Sequence, residues 1–110
     1  MKLPNCEQAY IPAPKLDDYL LADSHPTGRL KAKFFKGLGF SKANRQELEQ
    51  QFLHIAQTSP VVSVVASPHG DKFIIDGALR TPPGTGAAVR TVWIIDTGEH
   101  RPRFVTAYPL

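Results

Sequence analysis

The chain has 110 residues, with 13 lysines and arginines against 10 carboxylates and a net charge of +3, so it holds one domain and leaves no room for a second core. A single cysteine, Cys6, excludes an internal disulfide and a zinc cluster built on paired thiolates. The opening residues, with Lys2, Pro4, Asn5, Glu7 and Gln8, carry no apolar signal segment, and no apolar run approaches the ~18 residues of a membrane span. A soluble, cytoplasmic protein with no membrane partner is the expectation.

Pro12 and Pro14 bracket an extended entry, and a short helix is expected from about Lys15 to Ala22. Pro14 stands near its first turn, and Leu16, Tyr19 and Leu20 form one apolar stripe. The run Ser24-His25-Pro26-Thr27-Gly28 breaks the chain, because a proline disfavours helical backbone in the residue before it. A second helix is expected from about Thr27 to Leu38, with Leu30, Phe34 and Leu38 on the buried face, Phe35 beside them and Gly39 as a left-handed stop. Lys31 then projects beside Phe35, at the margin of the core.

Asn44 and Glu47 have capping-box spacing and predict a third helix to about Gln57, burying Leu48, Phe52 and Ile55. After Pro60 the pattern turns to strands. Val61–Ala66 and Lys72–Leu79 flank a Ser67-Pro68-His69-Gly70-Asp71 turn, and a third strand runs from Ala88 to Asp96. The stretch Thr97-Gly98-Glu99-His100-Arg101-Pro102 turns the chain into a fourth strand, Arg103–Tyr108. The expected fold is α+β: three N-terminal helices on one face of an antiparallel four-stranded meander, with Leu30, Phe34, Leu48, Phe52 and Trp93 in the core.

The charge is unevenly placed. From Arg29 to Arg45 the chain carries Arg29, Lys31, Lys33, Lys36, Lys42 and Arg45 and no carboxylate. A one-signed field attracts polyanions even on a near-neutral molecule, although a solvated helix face accounts for the run equally well.

Cys6 has no histidine nearby in sequence to activate it, and His25, His54, His69 and His100 have no metal-ligand spacing, so neither a cofactor nor a metal is expected. Gly84-Thr85-Gly86 is not a phosphate-binding Walker loop. Two constellations suit phosphate chemistry. At a helix entrance, where unpaired N–H groups favour anions, His25 can exchange a proton and Lys31 can hold charge. The plainer readings are a loop histidine and a lysine stem covering Phe35. On the last strands, Arg90, Thr106 and Tyr108 supply a cation and two hydroxyls, with alternation setting Phe104, Thr106 and Tyr108 on one face. Cross-strand packing is the plainer reading there.

The residues Lys2-Leu3-Pro4-Asn5, His25-Pro26, Gly28, Lys31-Ala32, Phe34-Phe35, Thr91-Val92-Trp93-Ile94 and Val105-Thr106-Ala107-Tyr108-Pro109 resemble a family of short bacterial domains, frequent in cyanobacteria, that opens with KLPN and carries HPxGxxKAxFF. The order of helices followed by a meander ending in a Thr-x-Tyr strand is also similar to the barnase–EndoU–colicin–RelE superfamily, mostly metal-independent ribonucleases and many of them toxins paired with antitoxins. That resemblance implies an endoribonuclease of toxin type. Its site would comprise His25, Lys31, Arg90, Thr106 and Tyr108, its product would be a 2′,3′-cyclic phosphate, and RNA rather than DNA would be the nucleic-acid partner. An acidic antitoxin-like protein is the implied protein partner. The chain departs from two-histidine members, so Arg90 or Tyr108 would share the acid–base work. The alternative is a non-catalytic module of the same fold that binds RNA or an acidic protein.

Overall fold

The computed structural model describes residues 1–16, 21 and 29–110. A single turn of helix, α1, spans Ala13–Lys15, with Pro14 inside its first turn. Most of the helix expected after Lys15 lies outside the described residues, although Leu16 and Leu21 are both buried. Helix α2 spans Arg29–Gly37 and α3 spans Arg45–Thr58. Gly39 follows α2 at φ 101°, and the Phe40 amide reaches back to the Phe35 carbonyl at 3.1 Å.

The stripe of α2 is rotated from the sequence expectation. Ala32 and Phe35 are fully buried, while Phe34 and Leu38 only border the core and the Leu30 side chain lies outside the described residues. The reason is the ring of Phe35, which meets Phe52 of α3 edge-on at 5.9 Å. The capping of α3 differs as well. Ser41 caps the preceding 3-10 turn Lys42–Asn44, its hydroxyl accepting from the Ala43 amide. Asn44 accepts from the Ser41 amide and donates to the Gly39 carbonyl, so its side chain serves the turn before α3 rather than a box with Glu47.

Four strands follow: β1 Val61–Ser67, β2 Gly70–Arg80, β3 Gly86–Asp96 and β4 Arg103–Pro109. They form one antiparallel sheet in sequence order. Alternation along β2 and β3 places Phe73, Ile75, Leu79, Val89, Thr91 and Trp93 on one buried face. Helix α3 lies against that face closely enough for the Ile55 side chain to fill the space beside Gly77. Phe52 stacks on Phe104 at 5.1 Å and Trp93 meets Phe104 edge-on at 5.3 Å, which ties α3 to the two C-terminal strands.

The N-terminal segment completes the sheet in a way the sequence pattern did not suggest. Tyr10 bridges Arg103 in parallel, donating to the Pro102 carbonyl at 3.0 Å and accepting from the Phe104 amide at 3.0 Å. These bonds satisfy part of the outer edge of β4, which would otherwise be open to another strand. Leu3 and Ile11 are thereby carried into the core. No described helix is long and apolar enough to cross a membrane.

Candidate functional site

The site depends on one irregularity. Val92 pairs with Thr106 but Trp93 pairs with Phe104, which leaves Val105 as the extra residue of a β-bulge. The bulge resets the alternation of β4. Phe104 and Ala107 enter the core, whereas Thr106 and Tyr108 stand on the opposite, partly exposed face. Strict alternation would have put Phe104, Thr106 and Tyr108 together, and the burial of Phe104 beneath Trp93 and Phe52 corrects that expectation.

The register sets up three rungs across this face. Asp76, Arg90 and Tyr108 form one, Ile74, Val92 and Thr106 the next, and Lys72, Ile94 and Arg103 the third. In the first rung Arg90 donates from Nε to Asp76 Oδ1 at 2.7 Å and from Nη2 to Asp76 Oδ2 at 2.9 Å. This two-point contact fixes the plane of the guanidinium. The hydrogen bond from Arg90 holds the Asp76 carboxyl below its ordinary value against the opposing effect of burial. The same hydrogen bond raises Arg90 above the usual guanidinium range, and Tyr108 acts in the same direction through charge and hydrogen bonding.

Lys31 arrives from α2. It lies one helical turn before Phe35, on the same side of the helix, so burial of that ring carries the lysine to the margin of the core. Its Nζ donates to Thr106 Oγ1 at 2.8 Å and stands 5.9 Å from the centre of the Tyr108 ring. Lys31, Thr106, Tyr108 and Arg90 are thus neighbours drawn from α2, β3 and β4. His25 lies outside the described residues.

Asp76 escaped the sequence reading, because nothing local marks it; only the β2–β3 register sets it opposite Arg90. A second ion pair of the same form stands at the far end of the face. Arg103 donates from Nε and Nη2 to Asp96 at 3.0 and 2.9 Å, and its hydrogen bond lowers the Asp96 carboxyl, with His69 adding to the effect. A groove of about 420 Å³ lies elsewhere, between α3 and the end of β2. Gln51, His54, Arg80 and Thr81 line part of it, and none of the sequence-predicted residues among those described does. Among the described residues no three His, Cys, Asp or Glu side chains are grouped to hold a metal ion.

A cation-and-hydroxyl cluster on one face of an antiparallel α+β domain is suited to gripping an anion such as phosphate. Over residues 2–110 the chain belongs to the family described as domain of unknown function DUF6883. No curated protein matches its sequence. Its fold is similar to a chain in the solved structure of a contact-dependent growth inhibition toxin–immunity protein complex from Klebsiella pneumoniae 342. The match has a TM-score of 0.72 and 18% identity, and it covers 94% of this chain and 95% of that one.

Proposed function

We propose that the protein is a small metal-independent endoribonuclease of toxin type. The observation that carries this reading is the Lys31–Thr106 contact beside Tyr108, the residue that shares a rung with the Asp76-held Arg90. The similarity in fold to a chain of a toxin–immunity complex supports it, as does the superfamily resemblance of the element order.

In this reading His25 accepts the proton of a ribose 2′-hydroxyl, and the freed oxygen attacks the adjacent phosphorus. The bond from phosphorus to the 5′-oxygen breaks opposite the attack, leaving a 2′,3′-cyclic phosphate and a 5′-hydroxyl that takes its proton from Tyr108. Charge builds on the non-bridging oxygens during this step. Lys31 and Arg90 neutralise it, Thr106 fixes the ammonium, and Asp76 holds the guanidinium before substrate arrives. A protein partner that masked this basic face would complement it with carboxylates.

The test is cleavage of labelled single-stranded RNA by folded wild type, His25→Ala and Lys31→Ala, in excess chelator. Wild type should yield cyclic-phosphate ends without divalent ions. Lys31→Ala should lower kcat by ~10²-fold or more, as loss of an oxyanion donor does. Equal cleavage by all three proteins would refute the assignment. RNA binding without cleavage would favour the non-catalytic module.

A further inference from the structure

The partly exposed sheet face carries two Arg–Asp pairs of the same construction, and only one belongs to the proposed catalytic cluster. Arg90 and Arg103 each donate from Nε and Nη2 to a carboxylate, Asp76 and Asp96 respectively. The guanidinium is pre-oriented in both places, which reduces the entropy lost on binding an anion. Both pairs are about one-third exposed, so a ligand can reach them.

The spacing gives the second pair a meaning. The rung of Arg103 crosses β3 at Ile94, four residues from Arg90. At roughly 3.3 Å per residue this is about 13 Å along the strand. An extended single-stranded nucleic acid following β3 would bring a phosphate to Arg103 two linkages from the one at Arg90. Lys72 stands in the same rung on β2, opposite Ile94, and adds a second cation there. Between the two charged rungs lie Ile74 and Val92, an apolar strip against which a base can rest.

We infer that Lys72 and Arg103 form a second phosphate subsite, which binds single-stranded RNA two linkages from the bond cleaved at Lys31 and Arg90. The subsite rests on the ribonuclease reading for its substrate, but its own observables are length dependence and salt dependence of binding. A substrate spanning both rungs binds tighter than one reaching the first alone. Since Lys72 and Arg103 each displace a counterion, their joint removal lowers the salt slope by ~1.4 for a single strand.

The experiment measures equilibrium binding of fluorescent oligonucleotides that carry a 2′-deoxyribose at the cleaved position, as a dinucleotide and as a tetranucleotide. Wild type should bind the tetranucleotide ~10-fold more tightly. In Lys72→Gln/Arg103→Gln that advantage should fall to within about twofold, with dinucleotide affinity unchanged. Lys72→Gln alone leaves the Arg103–Asp96 pair intact and should remove part of the advantage with no effect on folding. A wild type without length preference, or a double variant that keeps it and keeps the salt slope, would overturn the subsite. Failure of the ribonuclease reading has a separate signature, namely cleavage of ordinary RNA dinucleotides that Lys31→Ala leaves unchanged.

Discussion

Thr91 is fully buried in the middle of β3, where a hydroxyl needs a partner. Its Oγ1 donates to the Ile75 carbonyl at 2.7 Å and accepts from Trp93 Nε1 at 2.9 Å. One atom thus satisfies two buried polar groups on neighbouring strands. Thr91→Val preserves shape but orphans the indole N–H, and should cost about 1–3 kcal/mol by urea unfolding. A cost within error would mean that the indole finds another acceptor. Gly70 is constrained differently. It sits at φ 141°, and a Cβ there would collide with the Ile95 carbonyl oxygen, so no L side chain fits at the start of β2.

At the scale of elements, α3 is fastened to the sheet in two ways. Phe52 lies between Phe35 and Phe104, joining α2, α3 and β4 through aromatic contacts. Gln51, one residue earlier, pairs with the free edge of β2: its Nε2 donates to the Arg80 carbonyl at 2.6 Å and its Oε1 accepts from the Arg80 amide at 2.5 Å. The amide group occupies the place of a neighbouring strand's peptide. Phe52→Ala should lose roughly 3–5 kcal/mol through the cavity it leaves. Gln51→Ala should lose nearer ~1 kcal/mol, since water can replace an exposed partner. Comparable losses in denaturant melts of the two variants would show that the edge contact holds the helix as firmly as the aromatic contact.

For the whole molecule, the two Arg–Asp pairs set a pH dependence. The Asp76 and Asp96 carboxyls are lowered by Arg90 and Arg103. Their contribution to stability is therefore complete above the unfolded carboxylate value of roughly 3.9 and is lost as pH falls through the lower folded values. Both pairs are partly solvated, so the contribution of each is small. Asp76→Asn and Asp96→Asn should each be slightly less stable than wild type at pH 7, and that gap should narrow as pH falls below the ordinary carboxylate value of roughly 3.9 and through the lowered folded values. Urea melts over a series of falling pH values measure it. A gap independent of pH would show that the lost stability does not come from the carboxylate charges.

The order of elements was legible along the chain because hydrophobic period and turn residues are local. Proline and valine after Thr58 marked the change from helix to strand, and Gly39 marked the end of α2. Lys31, Arg90, Thr106 and Tyr108 could be singled out as residue types suited to phosphate, but their proximity could not be read. It depends on the Val105 bulge, on the one-residue rotation that buries Phe35, and on the β2–β3 register that supplies Asp76. Each is decided by competition between side chains distant in sequence: Phe35 against Phe34 for the place beside Phe52, and Phe104 against Val105 for the place beneath Trp93. Local periodicity states which residues are apolar, and only the assembled core selects which of two adjacent ones goes inside.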